Sequence, residues 1–322
     1  MDNPALRIPM LKRRAWWPVP LLVVLSAPVF FLNLGNYGMV NGDEGFFQHT
    51  AYNMVRSGDW LTIQWMGELR VYETFLGSPF QVWARAAIIY VAGDNYWTMR
   101  VISATCGMLA VLLTYRLGRQ FMTSAESLLA ALLLMFTYHF VFLHGARTGE
   151  MDAILTLLLV WIVYRFMRAL RENRSFVPHH LGVILLISVK LPVVTVVVVL
   201  EAAFFVLMPK HRQHIKRWIQ TMLWICPLGM VWHIYQFIEI GPKAVFEVFE
   251  LMAAQAAGTR GAETTTGETA LWTRAIERAS FYGPVLLFGA FPYILFVPLA
   301  LVGVWRHHAS RRSREYLLII TL

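Results

Sequence analysis

Apolar runs of about twenty residues recur along most of this 322-residue chain. That length constrains the fold before any other feature does. A helix needs roughly 20 residues to cross the ~30 Å hydrocarbon core of a bilayer, and inside lipid every backbone polar group must be bonded internally. Spans read at 16–35, 98–117, 124–145, 151–170, 215–237 and 281–304. Composition agrees: 57% of residues are hydrophobic and only 15% charged, against about 25% charge in soluble domains. The expected fold is all-α, a polytopic bundle of transmembrane helices. The formal charge of +9 is then no sign of a nucleic-acid partner, because no Lys/Arg tract alternates with aromatics. Cys106 and Cys226 both fall inside apolar spans and form neither a CxxC motif nor a disulfide framework.

Two segments fit the span pattern badly. Residues 79–93 are too short to cross, and Gln81 and Arg85, four apart, share one helical face. The segment reads as an interfacial helix lying on the membrane. The second, 175–208, is apolar but interrupted by Lys190 and Pro192. Cation placement settles the topology. With the basic residues 1–15 in the cytoplasm as an uncleaved anchor, Arg116 and Arg119, the run Arg165–Arg174, the run Lys210–Arg217 and the run Arg306–Arg314 all fall inside. That satisfies the positive-inside rule. Segment 175–208 must then begin and end inside, as a short helical hairpin whose turn, Lys190-Leu191-Pro192, points outward. Residues 16–322 form one transmembrane domain with outer loops at about 36–97 and 238–280. A new apolar run, Tyr316 to Leu322, begins where the chain stops, so the sequence reads as the N-terminal portion of a longer chain or as the product of a truncated gene.

The outer side collects the polar groups. Asp43 and Glu44 stand side by side just past the first span, followed by Arg56, Tyr72 and Glu73; Arg147 and Asp152 lie in the second loop, and Lys190 at the hairpin turn. Each has an ordinary alternative: a hydrated loop acid, a helix N-cap, an interfacial anchor. Asp152 opens a helix, where the dipole favours an anion. Lys190 sits between two half-helices with Pro192 suited to the second one's first turn. Broken helices at membrane depth tend to line ligand sites, and an intramembrane lysine is costly. His49 lies near Asp43 and could line a cavity. His139 and His144 flank the top of a span, an interfacial position, and the other loop histidines read as solvated. HExxH, P-loop, GxSxG and Rossmann glycine patterns do not occur.

An ordered set of motifs carries a resemblance. Asp43-Glu44 after span one, the stretch Tyr52-Asn53-Met54-Val55-Arg56-Ser57-Gly58-Asp59-Trp60-Leu61, then Tyr72-Glu73-Thr74-Phe75-Leu76-Gly77-Ser78-Pro79, is similar to the lipid-linked-sugar glycosyltransferases of the GT-C fold. Arg147…Asp152 and Ser188-Val189-Lys190-Leu191-Pro192 follow as the family's next two landmarks. The similarity covers most of residues 15–305 and looks closest to the branch with aminoarabinose transferase and the protein O-mannosyltransferases. It implies a GT-C bundle with interfacial helices in the first outer loop, in a bacterial inner membrane with the active site outside. It implies Asp43 as the main catalytic carboxylate, Asp152 as the second-loop acid, Glu73 as an acid of the substrate site and Lys190 as the contact to the lipid phosphate. Their position on the outer face adds Glu44 to the catalytic acids, Arg147 and Arg56 to the donor-phosphate contacts, and Tyr72 and His49 to the substrate site. The partners implied are a polyprenyl-phosphate-linked sugar, a lipid, glycan or protein acceptor, and membrane lipid. A divalent cation is the one cofactor left open, with Glu73 and Asp152 as candidate ligands. The chain departs from the pattern where Thr74 replaces a lysine, where Pro79 stands alone for a proline pair, and where the fourth loop lacks a histidine.

The chemistry needed is consistent with these residue types. Displacing a polyprenyl phosphate takes a base for the acceptor and cations for charge growing on the leaving phosphate. The rival reading is a transporter or flippase of a lipid-linked or anionic solute, which would also use a broken helix with a lysine. No internal repeat between the two halves supports it.

Overall fold

The computed structural model describes residues 17–66 apart from 41, the backbone of 68–69, residues 79–241, and three isolated positions beyond. The basic N-terminus, Tyr72, Glu73, most of the loop 238–280 and the span expected at 281–304 lie outside the described residues. Within them the fold is helical. Its sole pairing of strands is a two-residue antiparallel ladder, Gln64–Trp65 against Glu68–Leu69.

Helix α1 (Pro18–Phe31) starts on prolines in its first turn and ends where Leu32 turns extended. Helix α2 (Gly42–Ser57) carries Asp43 and Glu44 in its first turn and Arg56 in its last, which matches the helix dipole at both ends. Helix α3 (Pro79–Ala92) has 14 residues, about 21 Å, too short for the bilayer core as expected. It packs along α2 through Phe47, Ala51 and Met54 against Val82, Ala86 and Ile89. Its polar pair is turned the opposite way from a simple surface helix. Gln81 and Arg85 are buried, while Tyr90 and Val91 are exposed. The reason is that both polar side chains have a carbonyl partner inside, at Gly149.

Helices α4 (Tyr96–Gly118), α5 (Ser124–Phe136) and α7 (Asp152–Arg171) form the central packing. Capping boxes start α4 at Asn95/Thr98 and α5 at Thr123/Glu126, each satisfying two orphan amides. The span expected at 124–145 is broken at Thr137, and a short α6 (Tyr138–Phe142) follows.

Helix α8 (Val177–Leu207) is long enough to cross by itself. It does not run straight. Lys190 has non-helical dihedrals, φ −157° and ψ 86°. A straight helix would hold residues 179 and 201 about 33 Å apart, yet His179 Nε2 lies 3.2 Å from Glu201 Oε2. Phe176 and Phe204 also stack on the same ring, Phe166 of α7. The chain therefore folds back at Lys190, the hairpin expected from sequence. From there a 3₁₀ turn (Pro209–His214), α9 (Ile215–Ile225), a second 3₁₀ turn (Cys226–Met230) and α10 (Val231–Ile240) run back across. Gly229 permits that return, since a β-carbon there would sit 2.9 Å from Ile187.

The bundle thus has two ends. At one, Arg217 donates to Asn173 and Arg174, and Gln120 to Tyr164. At the other, Trp83 of α3 packs edge-on against Trp232 of α10, and Trp232 donates to the Leu61 carbonyl. The apolar helices make this an integral membrane protein.

Candidate active site

The first loop and the second loop, residues 143–151, meet over the top of α4. Glu44 is the joint between them. Its side chain is fully buried and forms a two-point pair with Arg100 of α4, at 2.6 Å to Nε and 3.0 Å to Nη2. The backbone N–H groups of Val40 and Gly149 donate to the same carboxylate at 2.8 and 2.9 Å. Burial alone would raise the Glu44 carboxyl, but the Arg100 guanidinium and these two amides outweigh it and hold it below the ordinary range. Arg100 also donates to the carbonyls of Leu34, Tyr37 and Gly38 and stacks on the Tyr37 ring at 3.8 Å. One arginine therefore ties the loop leaving α1 to α2 and α4.

Arg85 lies beneath, fully buried, donating to the Gly149 and Glu44 carbonyls. Burial draws it down to about 10, while the Glu44 and Glu150 carboxylates pull the other way. Gly149 has to be glycine. A β-carbon there would sit 2.7 Å from the Met99 carbonyl oxygen and 3.1 Å from Glu44 Cγ. Ser103 of α4 donates to the Glu150 carbonyl at 2.7 Å, which fixes the next residue.

On this base stands the exposed chemistry. Asp43 is exposed and makes no hydrogen bond to any described residue. Facing it, the second loop brings His144 and Glu150 together: His144 Nδ1 meets Glu150 Oε2. Asp43, His144 and Glu150 offer oxygen and nitrogen atoms that all lie within 4.8 Å of one another. Asp152 is half-buried at the first position of α7. Lys190 is half-buried and unbonded to any described residue. Its neighbours Val189 and Leu191 share an apolar cluster with Phe80 and Met151, so the hairpin turn lies at this same end.

The sequence-expected residues divide in three. Asp43, Asp152 and Lys190 are placed at this end with side chains not committed to the fold. Glu44 and Arg147 are committed. Arg147 donates to the Val29 and Leu32 carbonyls, 2.7 Å each, closing the open C-terminus of α1. Arg56 is exposed at the far end of α2, and His49 is bonded to Asn53 and lines a cleft of about 620 Å³ with Gln48, Tyr52, Asp94 and Tyr96. Tyr72 and Glu73 lie outside the described residues, so of the two expected cation ligands Asp152 alone is placed.

Residues 77–235 match the dolichyl-phosphate-mannose-protein mannosyltransferase family. The fold is similar to the crystal structure of ArnT from Cupriavidus metallidurans bound to undecaprenyl phosphate, with a TM-score of 0.68, 17% identity, and coverage of 95% of this chain and 54% of that one. The same protein in its apo state superposes with a TM-score of 0.63 at 16% identity. This chain has the GT-C fold. Shorter sequence matches are to arabinosyl transferases. An undecaprenyl phosphate-alpha-4-amino-4-deoxy-L-arabinose arabinosyl transferase of Pseudomonas fluorescens is 31% identical over 122 residues, 38% of this chain and 20% of that protein. An uncharacterized protein of Aquifex aeolicus is 26% identical over 248 residues, 74% of this chain and 46% of its own length. The GT-C chain spans about half the length of the longer-matching relatives.

Within this GT-C bundle, sequence reasoning missed three residues that build the site. Arg100 carried a usable signal, a charge near the start of an otherwise apolar span. Arg85 was seen, but its face was assigned to the membrane surface. His144 was read as interfacial, and its left-handed φ of 53°, which no residue pattern announces, belongs to the tight loop that delivers it to Glu150.

Proposed function

We propose that this chain is a membrane glycosyltransferase. It moves a sugar from a polyprenyl-phosphate donor to an acceptor on the extracytoplasmic face. The observation that carries the reading is Asp43: an exposed carboxylate, unbonded to the described residues, raised on a rigid buried frame at the same end of the bundle as the helix break at Lys190. Asp43 takes the proton of the acceptor hydroxyl or amine as that atom attacks the anomeric carbon. The bond from that carbon to the phosphate oxygen breaks, and the leaving polyprenyl phosphate keeps the electron pair. Lys190 meets the growing phosphate charge, helped by free amides at the start of the second half of α8. Asp152 orients the acceptor. Glu44 and Arg147 hold the frame and do not touch the reacting atoms.

Charge supports the orientation. The loops carrying Arg116, Arg119, Arg165, Arg168, Arg171, Arg174, Lys210, Arg212, Lys216 and Arg217 meet where Arg171 donates to Gln120 and Arg217 to Asn173 and Arg174, and cations favour the cytoplasmic side. The relatives described above with a stated activity are transferases, which favours transfer over the flippase reading. Mass spectrometry of envelope lipids and glycans from a deletion strain tests the proposal. One glycan or lipid should lose a sugar and its lipid-linked donor should accumulate. An unchanged profile in every envelope fraction would count against it.

A further inference from the structure

Arginines frame a second cleft, at the end of the bundle where Arg217 meets Asn173, a place the proposed transfer does not use. The end of α7, the turn into α8 and the start of α9 enclose about 330 Å³ there, lined by Leu170, Arg171, Asn173, Gln213, His214 and Arg217. We infer that this cleft binds the phosphate of an anionic phospholipid. The lining holds two guanidiniums, two side-chain amides and an imidazole, and no carboxylate. That set of donors suits an anion and repels a cation, and the planar fork of arginine matches the paired oxygens of a phosphate.

The arginines are set in place by the fold. Arg217 donates from Nη1 to the Asn173 side-chain oxygen at 2.5 Å and from Nη2 to the Arg174 carbonyl at 3.0 Å. Arg171 donates to the Gln120 carbonyl and lies 4.1 Å over the Phe121 ring. None of these acceptors carries a charge, so the contacts orient the guanidinium groups without cancelling them. Glu172, the one acid of the turn, pairs with Arg168 at 3.0 Å and Arg174 at 2.6 Å. His214, only 6% exposed, gives the cleft a fixed polar wall. Depth points to a lipid. Helix α7 ends at Arg171 and α8 begins at Val177, and both are long and apolar enough to cross a membrane, so the cleft lies at headgroup level. Apolar side chains stay exposed on the helices that lead away from it, Leu181 and Leu185 on α8 and Leu223 and Trp224 on α9, a surface on which acyl chains can lie. Basic clefts between membrane helices hold anionic headgroups in this way. Arg171 and Arg217 come from different helices, so a phosphate held by both joins α9 to the turn between α7 and α8.

The test uses the purified full chain in detergent, titrated with short-chain phosphatidylglycerol, with bound lipid counted by native mass spectrometry. One phosphatidylglycerol per chain should stay bound and raise the melting midpoint. Phosphatidylcholine, whose phosphate is balanced by its own ammonium, should bind about tenfold more weakly or worse. Arg171→Gln with Arg217→Gln should weaken phosphatidylglycerol about tenfold or more. Arg171→Lys with Arg217→Lys keeps the charge and loses the fork, so its loss should be smaller but measurable. Lys210→Gln with Lys216→Gln removes the same charge from outside the lining and should leave the affinity within about twofold. Melting without lipid shows which variants fold, and if the glutamine pair does not, the lysine pair decides. Lining variants that bind like wild type, or equal losses in the glutamine pair and the Lys210/Lys216 pair, overturn the site. Inorganic phosphate that displaces the lipid at matched ionic strength would make a free anion the occupant and overturn the lipid assignment. The readout involves no sugar transfer, so failure here leaves the proposed function standing.

Discussion

Replacing Glu44 by glutamine separates a frame residue from a catalytic one. Glu44 Oε1 accepts from Arg100 Nε and the Gly149 amide, and Oε2 from Arg100 Nη2 and the Val40 amide. Glutamine keeps one oxygen and puts an NH₂ in place of the other. Whichever way it turns, two donors face that NH₂, and Arg100 remains buried without a counter-charge. Breaking one partner of such a pair costs about 3–5 kcal/mol. At roughly 2–4 °C per kcal/mol for a mid-sized domain, that lowers the melting midpoint by about 6–20 °C. Tryptophan fluorescence of detergent-purified protein on heating reads it. The pH dependence should follow. The folded Glu44 carboxyl is held below its ordinary value of 4.5, so its contribution is complete above that value and is lost as pH falls through the lower folded one. Glu44→Gln should flatten this acid limb. A variant that melts like wild type yet transfers no sugar would refute the frame and return Glu44 to the catalytic set.

Lys190→Ala should weaken binding of a short-chain polyprenyl phosphate about 10- to 150-fold, since a charge-assisted contact contributes roughly 1.5–3 kcal/mol; unchanged affinity with lower stability makes Lys190 an anchor. Gly149→Ala should lower the melting midpoint, because its β-carbon would press on the Met99 carbonyl at 2.7 Å, and a neutral result would show that the second loop can shift. In a background lacking Cys106 and Cys226, a cysteine at His144 should react with an impermeant maleimide from outside and one at Asn173 should not; the reverse pattern inverts the topology.

The apolar spans around α4 and α7, the hairpin at Lys190 and the placement of Asp43 were legible because each rests on a local signal: run length, an interrupting Lys-x-Pro, an acid pair past a span. What was not legible depends on contacts between distant segments. Glu44 and Asp43 are adjacent and alike in sequence. They differ because Arg100, 56 positions away, and the Gly149 amide, 105 away, claim one of them. Arg147 was read as a donor-phosphate contact, and no local pattern shows that its guanidinium bonds the end of α1, more than a hundred residues earlier. Gln81 and Arg85 gave their spacing away but not their direction, because the carbonyl that draws them inward belongs to the second loop.

Turnover by Asp43→Asn is the most direct measurement of the central claim. The purified variant and wild type would be given a polyprenyl-phosphate-linked sugar and acceptor lipid or glycan extracted from the same envelope, and released polyprenyl phosphate counted. Asparagine keeps the shape at an exposed position, so folding and donor binding should persist while the rate falls about 10²- to 10⁴-fold, the usual cost of losing a positioned base. A variant that releases polyprenyl phosphate at the wild-type rate would remove Asp43 from the chemistry and contradict the account.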